Sequence, residues 1–128
     1  MLRRIAAAAI GAHGLVHLIG FVVPWGLVEV SGFAYRSTAL NGTLALGDAG
    51  ARAVGVAWLV LAAGFVAVAI GMWRAQPWAL PLVGALAAAS IVVCVLGLPD
   101  AAAGIAVNVA ILAAVGYVTA QTRRSVAR

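Results

Sequence analysis

Charged side chains are scarce in this sequence. Of its 128 residues, 9% are charged and 66% are hydrophobic, whereas a soluble domain usually has about a quarter charged residues. A surface that faces water on all sides cannot be built from so few charges. The composition therefore excludes an ordinary soluble domain and predicts a protein whose main solvent is lipid.

Acidic residues and cysteine are scarcer still. The three acids are Glu29, Asp48 and Asp100. None lies inside a long apolar stretch, so the membrane-embedded carboxylate that is usual in proton-coupled transport is missing. The single cysteine, Cys94, lies within an apolar run. One cysteine excludes an intrachain disulfide and a cysteine-based metal cluster.

Long apolar stretches dominate the chain instead. A helix needs about 20 apolar residues to cross a bilayer, and 128 residues leave room for four such helices and one longer loop. We therefore predict an all-α fold, a transmembrane four-helix bundle in a single domain. The first stretch is too long for a signal peptide and has no small-residue cleavage site, so we expect it to be retained. The predicted helices cover about residues 4–25, 51–73, 78–98 and 101–121, with an outer loop at 26–50.

The arginines, which are the only basic residues besides histidine, are divided unevenly between the two predicted membrane faces. Arg36 and Arg52 fall on the outer side, and the other six fall on the side of both termini. Because basic residues concentrate on the cytoplasmic side, we expect cytoplasmic termini and a multi-pass protein of a bacterial inner membrane. This placement also argues against nucleic acid as the partner. The six are Arg3, Arg4, Arg74, Arg123, Arg124 and Arg128.

Both histidines of the chain lie in the first predicted helix. His13 and His17 are four residues apart, which places them on one helix face. Ionisable residues at membrane depth usually face the protein interior or a wet cavity. With a rise of about 1.5 Å per residue, His17 lies ~10 Å inside the outer boundary, and polar residues of the other helices reach a similar depth. We predict an outer-half ligand pocket formed by His13, His17, Trp58, Ser90, Asn108 and, nearer the mouth, Asp100.

Several kinds of site remain open for these residues. A quinone or another lipophilic ligand could hydrogen-bond to one histidine and to Asn108. A metal site normally has three or four ligands, and the histidines supply two, so we assign no metal site. A haem with one axial histidine stays open, as does a structural role in which the histidines only bond to neighbouring helices. The sequence identifies no cofactor and assigns no catalytic residue.

The polar and aromatic residues at the helix ends have simpler expected roles. Asp48 and Asp100 are placed to cap the second and fourth predicted helices, because a carboxylate can accept from free backbone N–H groups. Arg52 and Asp100 could form an ion pair at the rim. Aromatic residues are common at membrane interfaces, and three tryptophans fall there: Trp25, Trp73 and Trp78.

Two short motifs are similar to those of a group of small bacterial four-span membrane proteins. The run HGLVHLIGF extends from His13 to Phe21, and the run DAAAGIAVN extends from Asp100 to Asn108. In that group the first helix carries an HGxxHxxGF run and the fourth a DAxxGxxxN run. The chain also resembles the DoxX-like four-helix membrane proteins in helix number and size. The resemblance implies that His17, Asp100, Gly104 and Asn108 belong to one functional constellation, without implying an activity.

These observations favour one function and leave others open. The favoured interpretation is a small polytopic membrane protein that binds a small lipophilic ligand around the histidines. The first alternative is a scaffold or assembly subunit of a larger membrane complex. A transporter protomer or a haem-binding redox subunit is a further alternative. The expected partners are the lipid bilayer, the ligand, and a second copy of the chain or a larger complex.

Overall fold

The computed structural model describes residues 1–127, and Arg128, which the sequence places at the arginine-rich end, lies outside the described residues. The fold is mostly helical. Four helical segments are long and apolar enough to cross a membrane, the first being the stretch Leu2–Val22. The elements in chain order are α1 Leu2–Val16, α2 Leu18–Val22, β1 Thr38–Ala39, β2 Leu44–Ala45, α3 Gly47–Trp73, α4 Ala79–Leu96 and α5 Ala102–Val126.

Close packing of the long helices follows chain order. α1 and α2 pack on α3, α3 packs on α4, and α4 packs on α5. α1 runs antiparallel to α3 and approaches it closely at glycines: a Cβ built on Gly14 would lie 2.7 Å from the Cβ of Phe65, and one on Gly11 would lie 3.3 Å from that of Ala69. Small residues allow such close approach between membrane helices. The sequence had left the position of the first helix open, and these contacts place it against α3.

The apolar core fills the half of the bundle that holds the chain termini. Its buried residues come from α1, α3 and α4, and they include fully buried Phe65 and Val68. The same end carries the arginine contacts: the Arg4 guanidinium lies 5.3 Å from the ring centroid of Trp73. The opposite half of the bundle contains the histidines and their buried hydrogen bonds, and Phe65 joins the two halves through its contacts with both imidazole rings.

The first membrane segment has a well-defined end. α2 ends at Val22, three residues before the predicted end, but hydrogen-bonded turns continue to Gly26. The N–H groups of Gly26 and Leu27 donate to the carbonyls of Val23 and Val22, at 3.0 and 2.9 Å. Gly26 has a φ of 62°, so this is a Schellman motif with glycine in the left-handed conformation.

Other predicted boundaries also shift by several residues. α3 begins at Gly47 instead of 51, because the Ser37 carbonyl accepts from the N–H groups of Leu46 and Gly47 at 2.9 and 3.0 Å and so satisfies backbone donors at its start. α4 covers 79–96. α5 continues to Val126 instead of 121, since no glycine or proline interrupts its polar end.

The predicted capping roles of two acids were wrong. No side-chain cap bond is present at the start of α3 or of α5. Asp48 lies inside the first turn of α3 and accepts a hydrogen bond from the Tyr35 hydroxyl. Asp100 precedes the N-cap residue Ala101 and pairs with Arg36 instead. Both carboxylates therefore bind the outer loop and not the helix ends that follow them.

The departures from an all-α fold in the described chain lie in the outer loop, which contains a short hairpin and an isolated bridge between Val30 and Phe33. β1 and β2 form a two-residue antiparallel hairpin, which the sequence did not predict. Its turn uses left-handed backbone at Leu40, Asn41 and Gly42. The N–H groups of Leu40 and Asn41 donate to the carbonyls of Leu96 and Leu98, both at 3.1 Å. These bonds attach the hairpin to the outer end of α4.

Candidate functional site

The helix of the first membrane segment is interrupted at His17. The backbone N–H of His17 donates to the carbonyl of Gly14 at 3.1 Å, a tighter turn than that of an α-helix. The carbonyl of His13 instead lies 2.9 Å from Nδ1 of the His17 ring. In a regular α-helix the carbonyl of His13 would accept from the backbone N–H of His17. Here it accepts from the His17 imidazole instead. This bond fixes the orientation of the His17 ring.

The other nitrogen of His17 reaches α4. Its Nε2 atom lies 2.7 Å from the hydroxyl oxygen of Ser90. The same oxygen accepts from the side-chain NH2 of Asn108 on α5 at 2.8 Å. All three side chains are almost completely buried, with exposed fractions of 3%, 0% and 0%. Ser90 therefore links three membrane segments at one point.

Asn108 extends the network back to the first helix. Its NH2 group also donates to the carbonyl of Gly104 at 2.7 Å, and its Oδ1 atom lies 3.2 Å from Nε2 of His13. The thiol of Cys94 lies 3.8 Å from the Ser90 oxygen. No buried polar side-chain atom within residues 1–127 lacks a hydrogen-bond partner. The network is therefore complete, as buried polar groups require.

Two backbone carbonyls fix the direction of the bonds. A carbonyl only accepts, so Nδ1 of His17 carries the proton shared with His13, and Nε2 of the neutral ring accepts from the Ser90 hydroxyl. The Gly104 carbonyl likewise identifies the NH2 group of Asn108, so Oδ1 of Asn108 accepts from Nε2 of His13. Neutral His13 is left with an unprotonated Nδ1 atom, which has no hydrogen bond in the described residues and is not completely enclosed by protein.

Aromatic rings enclose the histidines. The centroids of the His13 and His17 rings are 4.7 Å apart at 87°, and Phe65 lies 5.0 and 5.2 Å from them. Trp58 lies 5.2 Å from His17 on the outer side. Its indole fits there because position 20 is glycine, where a Cβ would clash with the ring. Both histidines are therefore held by packing as well as by hydrogen bonds.

A cavity of about 360 Å³ lies beside this network. It is a cleft between the first membrane segment and α5, two elements that are not closely packed in the described chain. Trp58 of α3 and Cys94 of α4 form its back wall, and the outer loop covers its outer end. His13 and His17 contribute the polar groups at its inner end. The other residues that line its two sides include Val16, Ile19, Val23, Ala103, Gly104 and Val107.

The mouth of the cleft carries one ion pair. Nε of Arg36 lies 3.3 Å from the Asp100 carboxylate, and both residues line the cavity. The expected partner of Asp100, Arg52, instead lies over the ring of Trp25, 6.0 Å from its centroid. The Trp25 indole N–H donates to the carbonyl of Arg52 at 3.2 Å. The predicted Arg52–Asp100 pair was therefore wrong, because the outer loop brings Arg36 closer to Asp100.

A second loop contact lies farther from the cleft. The Tyr35 hydroxyl donates to the Asp48 carboxylate. This hydrogen bond raises the pKa of Tyr35 above its usual range, because the carboxylate holds the phenolic proton. Tyr35 is adjacent to Arg36, so the Tyr35–Asp48 contact and the Arg36–Asp100 pair anchor the same segment of the loop.

The six predicted site residues lie close together, but only four of them line the cleft. His13, His17, Trp58 and Asp100 line the cleft, whereas Ser90 and Asn108 are fully buried behind the histidines. Sequence reasoning missed Phe65 and did not place Cys94 at the site. Both follow a simple signal: Phe65 lies seven residues after Trp58, and Cys94 four after Ser90, on the same helix faces. The role of Arg36 had no such signal.

Comparison with known proteins identifies no family. No family model, no curated protein and no solved structure matches the chain. Within the described part of the chain, no group of three or more histidine, cysteine or acidic side chains is placed to hold a metal ion. The site must therefore be interpreted from its own geometry.

Proposed function

We propose that this polytopic membrane protein binds a small, mostly apolar ligand in the cleft between its first membrane segment and α5. The observation that carries the proposal is the cleft itself: a cavity of about 360 Å³ with apolar sides and two histidine rings at its inner end. Ligand pockets have volumes of about 300–1,000 Å³ and combine apolar walls with a few placed polar groups. The cleft lies near the lower end of this range, which suits a small ligand.

The position of the cleft supports a lipophilic ligand. Its sides belong to two helices that are not closely packed together in the described structure. In a bilayer, a gap between two such helices faces the lipid, so a ligand dissolved in the membrane can enter from the side. The outer loop closes the end of the cleft that faces water, with the Arg36–Asp100 pair at its edge.

The hydrogen bonds show which polar side chains are already engaged with the protein and which can contact a ligand. Both nitrogens of His17 are engaged with protein groups, and so are the amide groups of Asn108. A ligand bonded directly to His17 and Asn108, an arrangement that the sequence allows, would have to displace these contacts. We therefore assign the direct polar contact with the ligand to His13. His17, Ser90 and Asn108 hold the His13 ring in position.

The orientation is part of the proposal. Arg3, Arg4 and Arg74 lie at one end of the bundle, with Arg123 and Arg124 in the last turn of α5 at the same end. Positive residues favour the cytoplasmic side, so both termini face the cytoplasm of a bacterial cell, and the cleft lies in the outer half of the inner membrane.

Native mass spectrometry of protein purified in mild detergent tests the proposal. The wild type should retain a small lipophilic molecule, which extraction would then identify. Val107→Trp should lose it, because Val107 lines the cleft and an indole would fill the space. Val109→Trp is the matched control, since Val109 is on the same helix, is 52% exposed and lies outside the cleft lining.

The outcomes are distinct. A molecule retained by wild type and Val109→Trp but absent from Val107→Trp supports the cleft as a binding site. Equal retention by all three proteins would place the ligand elsewhere and contradict the proposal. Wild-type protein that carries nothing, and takes up nothing from a total lipid extract, would also contradict it and favour a scaffold role.

A further inference from the structure

We infer that the ligand is a neutral lipophile that donates a hydrogen bond, such as a phenol or another hydroxyl compound, to Nδ1 of His13. The inference rests on the proposed function and deepens it by naming the ligand class. It comes from the direction of the hydrogen bonds, which the backbone fixes independently of any ligand.

First, the hydrogen bonds of Asn108 determine which nitrogen of His13 carries the proton. Asn108 is held with its NH2 group towards the Gly104 carbonyl and the Ser90 oxygen, so its Oδ1 atom faces His13. An oxygen of this kind accepts only, and it therefore requires a proton on Nε2 of His13. A neutral imidazole with a proton on Nε2 has an acceptor at Nδ1. The network thus selects the tautomer of His13.

The second step is the charge of the two rings. A charged imidazole in an apolar interior is costly unless an acid is paired with it. The acids are Glu29, Asp48 and Asp100, all on the loop or at helix ends, and within residues 1–127 none bonds to either histidine. Asp100, which shares the cleft, is paired with Arg36 at the mouth. The arrangement therefore favours two neutral rings.

The third step is access. Nε2 of His13 is occupied by Asn108, and Nδ1 makes no side-chain hydrogen bond in the described structure, yet it is not a buried atom. His13 lines the inner end of the cleft. A ligand at the inner end of the cleft would therefore contact Nδ1 of His13, an acceptor that no protein group donates to in the described structure. A hydroxyl group satisfies it, whereas a quinone or ketone offers a second acceptor and leaves both atoms unpaired.

Three probes of similar size test this inference. 1-Naphthol donates a hydrogen bond, 1-fluoronaphthalene does not, and 1-naphthaldehyde only accepts. Binding to the protein in lipid nanodiscs is measured by equilibrium dialysis, with empty nanodiscs as the blank for partition into lipid. We expect 1-naphthol to bind about tenfold more tightly than either other probe, because a bound probe covers Nδ1, and an acceptor that is covered without a donor costs about that much.

The matched variant is His13→Gln. The glutamine amide nitrogen can take the position of imidazole Nε2 and donate to Asn108, but its one acceptor, Oε1, then lies away from the position of Nδ1. The preference for 1-naphthol over 1-fluoronaphthalene should disappear in this variant. Val107→Trp, which fills the cleft, should abolish binding of all three probes.

The failure of the inference differs from the failure of the proposed function. Binding that Val107→Trp abolishes, but without a preference for the hydroxyl probe, or with a preference for the aldehyde, would overturn the donor assignment and leave the cleft as a site. A naphthol preference that survives His13→Gln would overturn it as well. Binding of no probe above the lipid blank would overturn both, because the cleft would then accept none of these apolar ligands.

Discussion

The hydroxyl oxygen of Ser90 on α4 lies 2.7 Å from Nε2 of His17 in the first membrane segment. Since the ring nitrogen accepts, the serine donates, and its oxygen is free to accept from Asn108. The serine thereby follows the protonation pattern that the His13 and Gly104 carbonyls fix, as donor to His17 and as acceptor from Asn108. The same bond also holds His17 at the point where its own helix is interrupted.

Ser90→Ala should destabilise the protein clearly. The change removes the partner of a buried ring nitrogen and of one N–H of Asn108, and each unpaired buried group costs about 1–3 kcal/mol. Reversible unfolding in mixed detergent micelles would measure the loss. Ser125→Ala is the control, because Ser125 is exposed and bonds only to the Thr122 carbonyl. Equal stabilities of the two variants would contradict a structural role for the network.

The same bond should show strong coupling in a double-mutant cycle. We expect His17→Leu and Ser90→Ala to be less than additive, because the second change removes a group that the first has already left without its partner. Contacting residues in one network couple by about 0.5–3 kcal/mol. The cycle combines unfolding free energies of the wild type, both single variants and the double variant. Strict additivity would show that the 2.7 Å contact does not contribute to folding.

The fold and part of the site followed from the sequence for physical reasons. A long apolar stretch in lipid must satisfy its backbone hydrogen bonds within itself, and a helix does so. Four spans could therefore be predicted from length and composition. The histidines lie four residues apart on one helix face, so their shared orientation was also predictable. Depth along straight helices placed Trp58, Ser90 and Asn108 near them. These are local properties of each helix.

The remaining features depend on contacts between distant parts of the chain. Asp48 and Asp100 follow the sequence pattern of N-caps, yet both bind loop side chains. Asp48 accepts from the Tyr35 hydroxyl, and Asp100 pairs with Arg36. The loop in turn is positioned by backbone bonds from Leu40 to α4. The burial of Ser90 behind the histidines is set by rotation of α4 about its axis, which a nearly uniform apolar helix does not encode in a readable pattern.

Close approach of α1 and α3 should depend on Gly14. A Cβ at this position would lie 2.7 Å from the Cβ of Phe65 and 3.2 Å from the Ala62 carbonyl oxygen, so backbone must move. We expect Gly14→Ala to destabilise the protein by about 1–3 kcal/mol, as overpacking does. Gly116→Ala is the matched control, because nothing lies within 4 Å of its added Cβ. A Gly14→Ala protein as stable as this control would contradict the packing.

The Arg36–Asp100 pair should restrict access of water to the cleft. The side chains are 49% and 27% exposed, so the pair contributes at most about 1 kcal/mol, and Asp100→Asn should leave global stability nearly unchanged. It should instead loosen the loop over Trp58 and increase quenching of tryptophan fluorescence by aqueous acrylamide. Glu29→Gln is the control, since Glu29 makes no salt bridge within the described residues. Equal quenching in both variants would show that the pair does not close the mouth.

The Tyr35–Asp48 contact should be visible in a titration. In a Tyr117→Phe background Tyr35 is the remaining tyrosine, and its tyrosinate absorbance should rise at a pH above the ordinary value of about 10, because the Asp48 carboxylate holds the phenolic proton. Since the folded-state pKa is raised, the stabilisation from this contact is fully present below the ordinary tyrosine pKa and is lost as pH rises through the higher folded value.

Replacement of the acceptor separates this cause from other properties of the loop. Asp48→Asn removes the charge that holds the proton, so the titration midpoint of Tyr35 should fall towards the ordinary value. Glu29→Gln, which removes a different acid of the outer loop, should leave it in place. A midpoint that Asp48→Asn does not move would mean that Tyr35 is not bonded to Asp48 in solution. The segment next to Arg36 would then be held only by the Asp100 pair, and Asp100→Asn should increase acrylamide quenching all the more.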